Sequence, residues 1–119
     1  MKFDYDAQYF NPLHTLDCGQ IFRFEPYQDG YKVFSADKVC YVHTDGNKTV
    51  VESEDCYYFY DYFDLNRDYS QIVNKATSYG IPLLTRSAQS CKGLRILHQN
   101  REEMIYSFII SQNNNIPRI

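Results

Sequence analysis

Residues 22–52, FRFEPYQDGYKVFSADKVCYVHTDGNKTVVE, decide the fold of this chain. Apolar and polar side chains alternate through the stretch, and short pairs of turn-forming residues, such as Asp29-Gly30 and Asp45-Gly46, interrupt it. Alternation with a period of two is typical of strands that bury one face, and Asp-Gly pairs suit tight hairpin turns. The pattern therefore predicts an antiparallel β-meander, with strands near 21–25 and at 31–35, 38–44 and 49–52.

The segments around the meander predict helices and one further strand. Asn11 and Pro12 should begin a short helix, since asparagine caps helix N-termini and proline fits the first helical position. Gly80 and Pro82 separate two longer helices, and Gly93 is suited to the C′ position of the second. The predicted elements outside the meander are an edge strand at 2–5 and helices at 11–16, 53–65, 68–79, 83–91 and from 100 onward. Together they predict an α+β fold, in which an antiparallel twisted β-sheet packs on helices.

Six aromatic residues between positions 57 and 63 suggest a platform on which nucleic-acid bases could stack. The helix that carries them is predicted to begin at Ser53, with Glu54 and Asp55 in its first turn. Asp61 and Asp64 also border the aromatic run, and an acidic surface repels a phosphate backbone. We therefore interpret these aromatics as core residues.

The composition is typical of a single globular domain. Of 119 residues, 44% are hydrophobic and 23% are charged, which is enough for one hydrophobic core. There is no apolar run near the roughly 18 residues that a membrane span requires, and no signal peptide is evident at the N-terminus. The four cysteines are irregularly spaced and form no CxxC pair. We therefore expect a cytoplasmic protein with reduced thiols, no metal site and no cofactor.

Charge is distributed unevenly along the chain. Residues 1–68 contain thirteen acids and six bases, whereas residues 69–101 contain five bases and no acid. A basic face that contacts phosphates would explain this asymmetry, but chance segregation on a solvated surface explains it more simply. The five bases are Lys75, Arg86, Lys92, Arg95 and Arg101.

The last predicted helix is too apolar for a small sheet to cover. Asn100 and Glu103 fit a capping box at its start. The apolar residues of this helix cover one face and also most of the rest of its circumference. They are Met104, Ile105, Tyr106, Phe108, Ile109 and Ile110. Such a helix is expected to be buried nearly all round. Because the sheet can cover only one side, we expect something else to cover the other.

The final residues, SQNNNIPRI (111–119), allow two interpretations. Asparagines suit helix ends and turns, and Pro117 is suited to the first position of a new helix. The ending then predicts a helix whose body is missing, so we expect the chain to be cut from a longer one. Alternatively, asparagine amides and the planar donors of Arg118 could recognise the edge of an unpaired base.

The residues alone reveal no catalytic set. His14, His43 and His98 lack the spacing of metal ligands, and no hydrolase or phosphate-binding motif is present. One further position is unusual, namely Gly19 within LDCGQIFRF (16–24). A glycine here could end a helix, or it could expose a bare carbonyl to a ligand.

Four motifs together resemble one family of DNA repair enzymes. They are DCGQIFRF (17–24), YFDLNRDY (62–69), GLRIL (93–97) and SFIISQNNNIPRI (107–119). In this order they are similar to the N-terminal domain of 8-oxoguanine DNA glycosylases, plus the first helix of the catalytic half. The resemblance spans residues 2–119, and the NNNI-x-RI ending is highly specific. The chain departs from the family pattern at two places. The family usually has tryptophan at the position of Phe24. It usually has Asp-Pro-Trp/Ile-Glu at the positions of Asn100-Arg101-Glu102-Glu103.

The resemblance implies both a fold and a division of the chain. The expected fold is a TATA-binding-protein-like sheet packed on helices, followed by the first helix of a truncated helix-hairpin-helix catalytic domain. The expected boundary lies between residues 1–99 and 100–119. The family's catalytic lysine and aspartate would lie beyond Ile119, so we assign no catalytic residue and expect this chain alone to be inactive.

The resemblance also implies how a damaged base is recognised. The family flips 8-oxoguanine, paired opposite cytosine, out of double-stranded DNA. Gly19 would offer its carbonyl to the N7–H that oxidised guanine has and normal guanine lacks. Asn113 would enter the vacated space, Arg118 would read the cytosine, and Asn114 would also contact DNA. The expected partners are this DNA and the missing C-terminal helix-hairpin-helix domain, with no membrane.

Two other functions are considered beside this one. A stand-alone DNA-binding or architectural module could use a TATA-binding-like sheet, although the acidic balance opposes it. The N-terminal part of a glycosylase for alkylated bases would share the general architecture. The asparagine triplet and the arginine that follows it argue against that second alternative.

Overall fold

The computed structural model describes residues 1–112 and contains a five-stranded antiparallel sheet. The strands are β1 (Lys2–Asp6), β2 (Phe24–Tyr27), β3 (Gly30–Ser35), β4 (Lys38–Asp45) and β5 (Lys48–Glu52). Their order in the sheet is β1-β5-β4-β3-β2. The predicted meander is confirmed, but its first strand lies at Phe24–Tyr27 and not near 21–25. Two of its turns are also displaced by one residue from the Asp-Gly pairs, to Gln28-Asp29 and Gly46-Asn47. The N-terminal strand lies at the edge beside β5, as predicted.

Five helices accompany the sheet, and the α+β prediction is confirmed. They are α1 (Pro12–Leu16), α2 (Cys56–Tyr62), α3 (Tyr69–Ser78), α4 (Pro82–Ser90) and α5 (Arg101–Ser111). The side chain of Asn11 accepts a hydrogen bond from the His14 amide and caps α1. The side chain of Asn100 accepts one from the Glu103 amide and caps α5. The Asn11 cap is as predicted, but only the Asn100 half of the predicted capping box forms, because the Glu103 carboxylate binds the Ala36 amide and Arg23 instead of the Asn100 amide.

One face of the sheet packs on α2, and this contact forms the core. Val33 lies opposite Cys40 in the register, and Val42 lies opposite Val51, so these side chains share the inner face. The core consists of Phe10, Leu16, Ile21, Val33, Cys40, Val42, Val51, Phe59, Tyr62, Phe63, Leu65 and Leu97. Three of the six clustered aromatics are thus fully buried. The interpretation of that run as core is confirmed for them, while Tyr57 is 91% exposed.

Helix α2 begins three residues later than the sequence predicts. The Ser53 hydroxyl donates to the carbonyl of Val39 and accepts from the amide of Asp55, which holds residues 53–55 in a turn. Asp55 becomes the N-cap residue, and no acid lies in the first helical turn. The predicted first turn of Glu54 and Asp55 is therefore wrong, because the hydroxyl binds the sheet instead of capping the helix.

Gly93 has a different role from the predicted one. Helix α4 ends at Ser90 with Cys91 as its C-cap residue, so Gly93 is not at the C′ position. Its φ is +97°, and a Cβ built there would lie 2.8 Å from the Cβ of Asn11. Its carbonyl accepts a hydrogen bond of 2.7 Å from the amide of Asn11. Glycine is required here because two backbone segments meet where a side chain has no space.

Arg95 is fully buried and ties several segments together. Its guanidinium donates hydrogen bonds to four backbone carbonyls, those of Tyr9, Phe63, Asp64 and Arg67. The ring of Tyr69 lies 3.6 Å from its central carbon. Arg95 therefore has a structural role, and it does not belong to a basic face that contacts phosphates.

We expect Arg95→Gln to lower the free energy of unfolding by roughly 3 kcal/mol or more, because buried carbonyls lose their donors. Urea denaturation followed by circular dichroism would measure the change. Arg86→Gln is the matched control, since Arg86 is exposed on α4, and it should alter stability by less than about 0.5 kcal/mol. Equal stabilities of the two variants would contradict the structural role.

Candidate nucleic-acid interface

Gly19 lies exposed in the turn that follows α1. Its φ is +89°, a left-handed conformation that favours glycine. A Cβ built at this position meets no atom within 4 Å, so the backbone conformation and not crowding requires the glycine. Among residues 1–112, no group donates a hydrogen bond to the Gly19 carbonyl. This carbonyl is therefore available as an acceptor for a ligand.

The side chain of Gln20 anchors the residue that follows this carbonyl. Its amide nitrogen donates to the carbonyls of Thr15, at 3.0 Å, and Arg95, at 2.7 Å. Its amide oxygen accepts from the amide of Leu97 at 3.1 Å. The backbone carbonyl of Gln20 accepts from the side chain of Gln99. The side chain and the backbone carbonyl of Gln20 are thus both hydrogen-bonded, so the residue after Gly19 is anchored to residues 95–99.

The next residues connect Gly19 to helix α5. The ring of Phe22 makes an edge contact with the ring of Phe108, with centroids 5.9 Å apart. A guanidinium nitrogen of Arg23 lies 2.6 Å from a carboxylate oxygen of Glu103. One short segment, residues 19–23, therefore contains both the free carbonyl and the contacts to the helix that precedes the asparagine run.

Helix α5 turns its more apolar side away from the body of the protein. Its partly buried positions are Glu103, Met104, Ser107 and Ser111. The exposed positions include Ile105, Tyr106, Phe108, Ile109 and Ile110, each between 45% and 64% exposed. The prediction of burial nearly all round does not hold within the described part of the chain. The expectation that the sheet leaves one side uncovered agrees with these exposures.

The exposed face of the sheet is not a basic surface. Asp4, Glu25 and Glu52 lie there together with Lys2, Lys32 and Lys48, so acids and bases are mixed on this face. The hydroxyl of Tyr41 donates to the carboxylate of Asp29, and this bond raises the pKa of Tyr41 to about 12. Such a face offers little attraction to phosphates. It does not support a module that would bind DNA through its sheet.

A second polar cluster surrounds Asp64, away from Gly19. The Asp64 carboxylate accepts a hydrogen bond of 2.6 Å from Tyr69 and lies 3.3 Å from a ring nitrogen of His98. Burial and the bond to Asp64 raise the pKa of Tyr69, so its hydroxyl remains a donor. These groups border an apolar groove of about 580 Å³ beside the α3–α4 hairpin. Across residues 1–112, no group of histidines, cysteines and acids has the arrangement of a metal site.

The structure describes only one of the four predicted site residues. Gly19 is exposed and its carbonyl accepts no hydrogen bond from residues 1–112, whereas Asn113, Asn114 and Arg118 lie outside the described residues. Sequence reasoning assigned no role to Gln20, Phe22 or Arg23, although all three stand in the quoted motif. Their polar and aromatic character was visible, but their partners are about 80 residues away in sequence.

No helix in the described part of the chain is long and apolar enough to cross a membrane.

Comparisons with known proteins place the chain in a family. Residues 2–105 match the model of the 8-oxoguanine DNA glycosylase N-terminal domain. The curated proteins include no match to this chain. The structure of MBOgg1 in complex with a low-affinity DNA ligand is 35% identical, with a TM-score of 0.81 over 98% of this chain and 42% of that chain.

Two structures of the 8-oxoguanine glycosylase/lyase from Clostridium acetobutylicum also match. The apo form is 32% identical with a TM-score of 0.80, covering 98% of this chain and 45% of that one. The complex with double-stranded DNA containing cytosine opposite 8-oxoguanine is 33% identical with a TM-score of 0.78, covering 98% and 44%. The chain thus spans less than half the length of these proteins.

The four motifs led to two expectations, namely the family and the TATA-binding-protein-like fold. The matches confirm both. The family model covers most of the chain, and the solved structures share its fold above 30% identity. The chain therefore belongs to the family of 8-oxoguanine DNA glycosylase N-terminal domains.

Proposed function

We propose that this chain is the part of a DNA glycosylase/AP lyase that recognises 8-oxoguanine and the cytosine opposite it. The longer enzyme would remove oxidised guanine from double-stranded DNA and cleave the strand. The family supports this proposal, and so does the Clostridium acetobutylicum enzyme, which was solved with DNA containing cytosine opposite 8-oxoguanine. We also propose that the protein is cytoplasmic, because its four cysteines are free thiols and the cytoplasm is a reducing compartment.

The free carbonyl of Gly19 is the observation that carries the proposal. Oxidised guanine has a hydrogen on N7, whereas normal guanine has a lone pair there. A fixed carbonyl therefore gains a hydrogen bond from the lesion and faces an acceptor in the normal base. An unsatisfied polar contact of this kind costs about 1–3 kcal/mol, which suffices for discrimination when it adds to other contacts.

The opposite strand would be read by the end of the chain. Flipping a base out of a duplex costs a few kcal/mol and leaves a space beside the orphaned cytosine. We assign Asn113 to that space, Arg118 to the cytosine edge, and Asn114 to the adjacent DNA contact. Helix α5 leads directly to these residues in sequence.

The exposed apolar side of α5 supports a missing C-terminal partner. Large apolar residues on one helix face mark an interaction surface, and the related enzymes have more than half of their length beyond the matched region. We propose that a helix-hairpin-helix catalytic domain covers this side. We also place the boundary between residues 1–99 and 100–119, where Asn100 begins α5.

The 119-residue chain alone should leave an 8-oxoguanine:cytosine duplex intact, because the proposed lysine nucleophile and aspartate are not among its residues. A denaturing gel of an end-labelled duplex, with and without alkaline treatment, would detect base removal and strand cleavage. The longer enzyme should cleave the same duplex and leave a guanine:cytosine duplex uncut. Cleavage by the short chain would refute its proposed inactivity.

Cys18 provides a chemical probe of the Gly19 position. Cys18 is an exposed free cysteine directly before Gly19, so a base bound at the carbonyl should shield it. We expect 8-oxoguanine:cytosine DNA to slow alkylation of Cys18 in the longer enzyme by about fivefold or more, following the occupancy of the site. Mass spectrometry would quantify labelling, with exposed Cys91 and an undamaged duplex as controls. Equal labelling of Cys18 with both duplexes would place the lesion elsewhere.

Arg118→Ala in the longer enzyme should relax the preference for cytosine opposite the lesion. Loss of a bidentate contact to a base edge removes about 1–3 kcal/mol of discrimination, or roughly tenfold to hundredfold. Single-turnover excision with each of the four opposite bases would measure this change. Arg101→Ala is the control, because Arg101 is exposed in the first turn of α5. An unchanged cytosine preference in the Arg118 variant would contradict its assignment.

A further inference from the structure

We propose that Arg23 is a positioning residue for lesion recognition, and that it acts through Glu103. The pair would hold α5 at a fixed place relative to the Gly19 carbonyl. The effect on lesion recognition rests on the proposed function, whereas the contacts between Arg23, Glu103 and α5 can be tested independently of it.

The carboxylate of Glu103 joins three parts of the fold. One oxygen pairs with Arg23 at 2.6 Å, and the other accepts a hydrogen bond of 2.7 Å from the amide of Ala36 in the β3–β4 turn. The amide of Glu103 donates to the side chain of Asn100 at 3.0 Å. The first turn of α5 is therefore bound both to the sheet and to the segment after Gly19.

A second contact lies further along the helix. Phe108 packs on Phe22 five residues beyond Glu103, which is about 7.5 Å along the helix axis. Phe22 and Arg23 are adjacent, so one short segment contacts α5 at two levels. Two separated contacts define the direction of a rigid helix, whereas one would allow it to swing.

These polar contacts matter because α5 has no buried residue among Arg101–Ser111. In most helices an apolar face packed on the core fixes the position. Most of the apolar side of α5 instead faces away from the described part of the chain, and Phe108 is the member of that side that contacts Phe22. Besides the half-buried Met104 and Ser107, the position of α5 therefore depends on Glu103 and on the segment formed by Phe22 and Arg23.

The pair is suited to positioning more than to overall stability. The side chains of Arg23 and Glu103 are 44% and 22% exposed, and an ion pair this accessible contributes little to the free energy of unfolding. Its geometry is nevertheless specific, since the same carboxylate also satisfies a backbone amide. Loss of the pair should loosen α5 while the sheet remains folded.

Hydrogen exchange of the 119-residue chain, measured by mass spectrometry, tests this directly. Arg23→Gln and Glu103→Gln should each speed exchange of the α5 amides by roughly threefold to tenfold, with no change in β4. The double variant should match the single variants, because both remove the same contact. Arg23→Lys keeps the charge and should retain most of the protection. Asp37→Asn is the matched control, since it removes an exposed ion pair with Lys38 in the same turn.

The longer enzyme provides a second readout. Arg23→Gln should slow single-turnover excision of 8-oxoguanine by about tenfold, since small displacements of recognition groups reduce rates strongly, while duplex affinity changes less than twofold. Unchanged α5 exchange, or equal loosening of α5 and β4, would overturn the positioning role. A wild-type enzyme that does not excise 8-oxoguanine would refute the proposed function alone, and the exchange data would still decide the role of Arg23.

Discussion

The guanidinium of Arg95 is the interaction on which the rest of the structure depends. It satisfies carbonyls from the end of α2 and from the loop after β1, two regions separated by more than fifty residues. Its own amide donates to the hydroxyl of Thr15 in α1, and its carbonyl accepts from Gln20. A domain this small buries few apolar side chains. A buried cation bound by fixed carbonyls supplies the cross-links that a larger core would provide.

The segment after Gly19 is hydrogen-bonded to the cluster around Arg95. Gln20 binds the carbonyl of Arg95 and the amide of Leu97, so the turn that carries Gly19 is attached to the irregular segment at residues 95–97. Along the motif, Gly19 has an unbonded carbonyl and Gln20 anchors the residue that follows it. Phe22 and Arg23 then contact helix α5.

The sequence predicted the elements well because their signals are local. The Asp-Gly turns and the alternation between 31 and 52 define the meander, and Asn11 and Asn100 mark helix starts that the structure confirms. Gly19 could also be singled out, although its position after a short helix fits both a helix end and an exposed carbonyl. Local signals failed at Ser53 and Gly93, whose partners Val39 and Asn11 lie far away in sequence. The roles of Gln20 and Arg95 were hidden for the same reason, because a buried arginine and an exposed one look alike in a sequence.

Discrimination against normal guanine requires a carbonyl that cannot move. If the Gly19 peptide could rotate, the carbonyl would turn away from the lone pair on N7, and the normal base would bind without penalty. The left-handed conformation of Gly19 alone does not prevent that rotation, because glycine passes between conformations easily. The nearest anchor is Gln20, whose side-chain amide binds backbone groups of Thr15, Arg95 and Leu97 and whose carbonyl accepts from the side chain of Gln99. Under the proposed function, the buried arginine and the contact with a damaged base would therefore belong to one arrangement, in which the core anchors the segment that presents the acceptor.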